Sequence, residues 1–120
     1  MKRYLDTLFY IVIVISGCNR SNSIENNDAI KLLDNENFFL DVRTFNEHEK
    51  KSIPNTDCIP VQIITEKMKD LEIYRDKTII VYCRSGNRSE TATKILNENG
   101  FKAFNMIGGI NGWEGEVVHN

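Results

Sequence analysis

The stretch Thr78-Ile79-Ile80-Val81-Tyr82 constrains the fold more than any other part of this 120-residue chain. All five residues favour extended backbone, and the polar alternation of a strand with one wet face is missing. The stretch therefore reads as a buried strand of a parallel sheet. Directly after it come Cys83-Arg84-Ser85-Gly86-Asn87-Arg88-Ser89, and from Ser89 the pattern turns helical, with Ala92, Ile95 and Leu96 on the buried side. A strand, a polar turn containing glycine and a helix are consecutive parts of an α/β unit.

The rest of the chain keeps the same order. From Glu25, Ala29, Ile30, Leu32 and Leu33 recur on one helical face, and Asn26 or Asn27 can cap its start. Phe38-Phe39-Leu40 forms a second compact apolar run, closed by Asp41-Val42-Arg43. Thr44 is placed to cap a short polar helix reaching about Lys51. Residues 52–60 hold two prolines and read as a loop with a short strand at Cys58-Ile59. Ile63, Ile64, Met68 and Leu71 are spaced for an amphipathic helix. Asn99-Gly100 ends the helix that begins at Ser89, Ala103 to Met106 makes a last strand, and Gly108-Gly109 breaks it. This order predicts an α/β domain: a small open parallel sheet flanked by helices on both faces. The length allows one such domain, placed at residues 24–120, with no internal repeat.

The front of the chain differs. Lys2 and Arg3 precede the unbroken apolar run Leu8 to Ile15, and the small residues Ser16 and Gly17 follow, directly before Cys18. That layout is the one expected of an export signal. The run covers about 12 Å as a helix, against roughly 30 Å of hydrocarbon that a spanning helix must cross. Ile15-Ser16-Gly17-Cys18 resembles the bacterial lipobox, which implies cleavage after Gly17 and lipid on Cys18; a plain secretory signal or a buried N-terminal helix stays open as the alternative. Residues 18–23 read as a polar tether, reaching at most about 18 Å beyond Cys18. The expectation is an exported protein, lipid-anchored to the periplasmic or extracytoplasmic face of a bacterial membrane. Removing residues 1–17 takes away Lys2, Arg3 and Asp6 and leaves the chain acidic, so lipid rather than charge would anchor it.

Charge and cysteine usage exclude several functions. A formal net charge of −2 with no basic cluster argues against a nucleic-acid partner. The three cysteines, Cys18, Cys58 and Cys83, form neither a disulfide framework nor a paired metal knuckle, so no metal and no cofactor is expected. Cys58 reads as core, with a resolving thiol for Cys83 as the alternative. Cys83 is different, because it stands where a buried strand gives way to a helix. Ligands of open α/β sheets bind outside the carboxyl ends of strands. Gly86 lets the turn curl, successive N–H groups can then point inward, and the helix adds its positive end. Arg84 and Arg88 add permanent positive charge. A cysteine there is expected as a thiolate, the nucleophilic form.

The turn Cys83-Arg84-Ser85-Gly86-Asn87-Arg88-Ser89 resembles the active-site signature of the rhodanese family. Phe39-Leu40-Asp41-Val42-Arg43 resembles its first strand signature, Ile53-Pro54 a dipeptide near its middle, and Gly100-Phe101, Gly108-Gly109-Ile110 and Trp113 the pattern that closes its domain. The resemblance spans roughly residues 24–116 and points to a single rhodanese unit. Lys51-Ser52 and Asn55 depart from the residues usual around the Ile-Pro pair, which puts a partner contact there in doubt. The resemblance implies a rhodanese-type sulfurtransferase. Cys83 takes a sulfane sulfur from a small anionic donor, thiosulfate or a polysulfide, as a persulfide, and passes it to cyanide or a thiol. The loop residues Arg84, Ser85, Gly86, Asn87, Arg88 and Ser89 would bind the persulfide and donor, with Asp41 and Arg43 as a supporting ion pair. His48 and His119 read as surface residues. Two rivals remain. A persulfide carrier would share the first half-reaction without turnover. A cysteine phosphatase would need a wider loop, with one residue more between cysteine and arginine than Arg84-Ser85-Gly86-Asn87 supplies.

Overall fold

The computed structural model describes residues 22–34 and 36–120. The proposed signal segment, Cys18 and the first part of the tether lie outside the described residues. Among the described residues, no helix is long and apolar enough to cross a membrane.

A five-stranded, wholly parallel sheet organises the chain. In sequence order its strands are β1 (Ser23–Ile24), β2 (Asn37–Asp41), β4 (Asp57–Cys58), β5 (Thr78–Tyr82) and β6 (Lys102–Met106), and in space they run β1-β6-β5-β2-β4. The two apolar runs picked out in the sequence become the central pair: β2 and β5 match residue for residue from Asn37 opposite Thr78 to Asp41 opposite Tyr82. Ser23, the last tether residue, is already in the sheet, opposite Asn105. A separate antiparallel pair joins β3 (Lys51–Ser52) to β7 (Val118–His119).

Strand alternation sorts the side chains into two cores. Phe38, Leu40, Ile79, Val81 and Cys83 face one way, against Ile64, Leu71, Ala92 and Leu96. Phe39, Ile80 and Tyr82 face the other way, with Ala29, Ile53, Met106, Ile110 and Trp113. Phe38 stacks on Tyr74 at 3.6 Å between ring centroids, and Trp113 meets Phe39 edge-on. Both faces of the sheet are thus buried, as the missing alternation requires.

The helices differ from expectation in detail. The stretch from Glu25 forms only a short helix, α1 (Asn26–Ala29), running into a 3₁₀ segment at Ile30–Leu32. Of its apolar face Ala29 alone is fully buried, while Ile30 and Leu33 stay exposed. The stretch expected as an amphipathic helix is a 3₁₀ run, Val61–Tyr74, which buries Ile64 and Leu71. Thr44 does cap α2 (Phe45–Lys50): its hydroxyl accepts from the Glu47 N–H while the Glu47 carboxylate accepts from the Thr44 N–H. The Thr44 cap was legible because such a box needs no tertiary contact. The helix after the Cys83 turn, α3 (Asn87–Glu98), begins two residues earlier than Ser89, with Gly86 at its cap in a left-handed conformation.

Candidate active site

The turn between β5 and α3 is held at its base by an element distant in sequence. The Cys83 and Arg84 carbonyls accept hydrogen bonds from the Ile110 and Asn111 N–H groups at 2.9 and 3.1 Å. Those amides can come so close because Gly109 has no side chain: a Cβ there would lie 2.4 Å from the Arg84 oxygen and 2.5 Å from the Cys83 oxygen. Gly108 and Gly109 both have positive φ, which glycine adopts without strain. The glycine pair read as a strand breaker therefore also forms the floor of the turn. Asn26 of α1 fastens that floor, its Nδ2 donating to the carbonyls of Ile107 and Gly109.

Above this floor Cys83 is 1% exposed, yet its sulfur is not sealed in hydrocarbon. The Gly86 N–H donates to Sγ at 3.0 Å, and the Ser89 hydroxyl lies 3.3 Å from it. Burial pushes the thiol up; the Ser89 hydroxyl and the N–H groups of Ser89, Gly86 and Ser85 outweigh it, so the thiol lies below its ordinary value. The N-terminus of α3 aims its dipole at the same sulfur. Arg84, Ser85 and Asn87 are exposed on the rim, while Gly86 and Ser89 are buried. A cleft of about 550 Å³ opens beside the turn, against Ser85, Gly86, Asn87 and, across from them, Asn105.

The two arginines of the turn differ. Arg84 makes no ion pair among the described residues and is free to meet an anion. Arg88 is engaged by Glu47 of α2, with Nη1 to Oε1 at 2.7 Å and Nη2 to Oε2 at 3.1 Å. The Arg88 guanidinium, helped by the Thr44 N–H and hydroxyl against a smaller effect of burial, holds the Glu47 carboxyl down to about 2.

Asp41 and Arg43 form the pair expected of them, fully inside the protein. Arg43 Nε and Nη2 grip the Asp41 carboxylate, the Nη2 contact at 2.7 Å, and Nη2 also donates to the Lys51 carbonyl. His48 is more than a surface residue, since its Nδ1 lies 2.9 Å from Asp41 Oδ2; His119 is exposed on β7. Asp41, His48 and Cys58 present ligand-type atoms within 4.8 Å of one another. Their chemistry suits a metal poorly: the carboxylate already serves Arg43 and His48. Burial and then the Asp41 charge push the Cys58 thiol up to about 12, so it stays protonated and donates to the Arg43 carbonyl at 3.4 Å. Cys58 is thus a bracing thiol, half-buried, with little nucleophilic character.

Sequence reasoning missed Asn105 and Tyr82. Asn105 Oδ1 accepts from Ser89 Oγ at 2.5 Å and its Nδ2 donates to the Gly86 carbonyl at 3.2 Å. The Tyr82 hydroxyl accepts from the Ile53 N–H at 3.2 Å and lies 2.9 Å from Thr56 Oγ1, pinning the loop at Ile53-Pro54 to the sheet. Tyr82 ends an apolar strand and Asn105 is a polar residue within β6; only strand pairing reveals what either touches.

Comparison with known proteins agrees with this geometry. A family model described as a rhodanese-like domain matches residues 25–116. The Bacillus subtilis protein named "Putative sulfurtransferase YtwF" is 42% identical over 84 residues, covering 70% of this chain and 80% of that protein. A second protein of that organism, "Putative sulfur carrier protein YrkF", is 35% identical over 79 residues, covering 65% of this chain but 42% of its own length. The crystal structure of a rhodanese-related protein from Thermoplasma volcanium superposes with a TM-score of 0.74 at 36% identity, covering 81% of this chain and 97% of that one. Sheet order, the cysteine turn and these likenesses together place the chain in the rhodanese-like domain family.

Proposed function

We propose that this protein is a sulfurtransferase that carries a sulfane sulfur on Cys83. The observation that supports this most directly is the Gly86 N–H donating to a buried sulfur at 3.0 Å, with the Ser85 and Ser89 N–H groups also directed at it. In the first half-reaction the Cys83 thiolate attacks the outer sulfur of thiosulfate; the S–S bond breaks, sulfite leaves with its electron pair, and a Cys83 persulfide anion remains. In the second, cyanide or a thiolate attacks the outer sulfur and the Cys83 thiolate departs. A polysulfide serves equally as donor, with a shorter polysulfide leaving. Arg84 on the rim meets the anionic donor, and the amides from Arg84 to Ser89 hold the persulfide charge. Arg88, through its pair with Glu47, shapes the turn. No separate base is needed, because the donors of the turn favour the thiolate and solvent takes the proton.

Thiosulfate and cyanide turnover, set against a Cys83→Ser variant, tests this reading. Steady thiocyanate production that disappears in the variant is the expected result. A stoichiometric burst without turnover favours a persulfide carrier, a reading that the likeness to a protein named as a sulfur carrier supports. No sulfur uptake at all would overturn both.

Export and lipid attachment at Cys18 form part of the same proposal, resting on Lys2, Arg3, the apolar run Leu8 to Ile15 and Ser16-Gly17-Cys18. The domain then sits at the extracytoplasmic face of a bacterial membrane. Intact mass of the protein from membranes, after thiosulfate treatment, should show residues 1–17 removed, lipid on Cys18, and a gain of about 32 Da that vanishes in Cys83→Ser. Recovery of the chain from the soluble fraction with Met1 in place would rule out the anchor and leave the transfer chemistry untouched.

A further inference from the structure

The single hydroxyl proton of Ser89 cannot be donated to both Asn105 and Cys83. Asn105 Nδ2 donates to the Gly86 carbonyl at 3.2 Å, and a carbonyl can only accept, so the orientation of the Asn105 amide is fixed. Its Oδ1 must then face Ser89, and Oδ1 also only accepts. The single Ser89 proton is therefore committed to Asn105, at 2.5 Å. In this arrangement Ser89 Oγ can meet Cys83 Sγ, 3.3 Å away, only as an acceptor from the S–H. A hydrogen bond accepted from the thiol favours the neutral form, the reverse of what a persulfide-forming cysteine needs.

From this geometry we propose that Asn105 is a positioning residue that holds the Ser89 proton away from Cys83 in the resting thiol, and releases it to the sulfur when the sulfur becomes an anion. When Cys83 loses its proton to solvent, Ser89 Oγ–H turns from Oδ1 to Sγ and adds one donor to those supplied by the amides. The turn is feasible because Asn105 lines the cleft beside the active turn, where water can donate to the vacated Oδ1. Gly86 is kept in place throughout, since the bond from Asn105 Nδ2 to its carbonyl does not change. One side chain thus braces the loop with its NH₂ and sets the direction of the Ser89 hydrogen bond with its oxygen. Of the charged groups, Arg88 on α3 interacts with Cys83 and is paired with Glu47 of α2, while Asp41 on β2 is gripped by Arg43. Replacing Asn105 or Ser89 adds or removes no charge, so these contributions stay the same.

The inference rests on Cys83 being the ionising nucleophile, and the test separates the two. Alkylation of Cys83 by iodoacetamide, followed by peptide mass against pH, is measured in wild type, Asn105→Ala, Ser89→Ala and the double variant. Asn105→Ala frees the Ser89 proton for the thiolate. Its profile should move to lower pH, with alkylation below the wild-type midpoint rising about tenfold, the value of one hydrogen bond to an anion. Ser89→Ala should move the profile up, and the double variant should behave as Ser89→Ala. Asn105→Leu, close in volume and lacking both hydrogen bonds, repeats the test should the alanine variant fold poorly. A purely bracing Asn105 would move the profile up on removal, because the Gly86 N–H would drift from the sulfur. That direction, an unmoved midpoint, or a shift that persists without Ser89 would overturn the inference. Failure of Cys83 to alkylate with a profile of its own in wild type would instead overturn the reading of Cys83.

Discussion

At the scale of residues, the reactive sulfur depends on a glycine in another part of the chain. Gly109 brings the Ile110 and Asn111 amides against the Cys83 and Arg84 carbonyls, and any Cβ at that position collides with backbone rather than with a movable side chain. Gly109→Ala is therefore expected to lower stability by about 1–3 kcal/mol, from the left-handed backbone and the displaced floor. It should also slow Cys83 alkylation at neutral pH, because the turn no longer presents Gly86 N–H to the sulfur. Thermal unfolding and iodoacetamide kinetics measure both; unchanged kinetics in a folded variant would mean that the glycine floor does not position the sulfur. A loss in reactivity here is distinct from that in Cys83→Ser, which removes the nucleophile and leaves the turn intact.

At the scale of elements, α2 is tied to the active turn through Glu47 and Arg88. Glu47 completes the Thr44 capping box and grips Arg88 across 41 positions of sequence, so the start of one helix fixes the start of another. Its carboxyl is held at about 2, below the ordinary 4.5. A carboxyl depressed by folding adds stability above its unfolded value, and that stability is lost as pH falls through the folded one. Wild type should thus exceed Glu47→Gln by about 0.5–1 kcal/mol at neutral pH, as a partly exposed pair allows. The gap should close as pH drops from about 4.5 to about 2. Urea denaturation at pH 7 and pH 3 reads it, and a gap that widens with acid would contradict the pairing. The helix expected from the spacing of Ile63, Ile64, Met68 and Leu71 shows the opposite case. Its apolar spacing predicts an α-helix, while the chain winds as a 3₁₀ run. Ile64 and Leu71 are buried in either description, because spacing reports which residues face the core more reliably than it reports the winding.

At the scale of the whole molecule, one sheet separates two cores, so damage to one side must be felt on the other. Leu40 is fully buried in the core against α3, whereas Trp113 lies in the core beyond the sheet. Leu40→Ala should cost about 2–5 kcal/mol. Because β2 carries Phe39 towards Trp113 and Leu40 away from it, tryptophan fluorescence and far-ultraviolet circular dichroism should report the same lowered urea midpoint. Midpoints that separate would show two cores unfolding independently.

Local chemistry was enough to reveal a great deal of this protein: the buried strand Thr78–Tyr82, the Thr44 cap, the left-handed Gly100, and a cysteine placed where a strand meets a helix. Each depends on neighbours within a few positions, which is what a sequence displays. The pairing of Arg88 with Glu47, the tie between His48 and Asp41, the floor at Gly109 and the grip of Asn105 on Ser89 were decided by tertiary structure alone. Each joins residues on different elements, and the short range of hydrogen bonds and steric contact leaves no trace of such partners in the linear order of the chain.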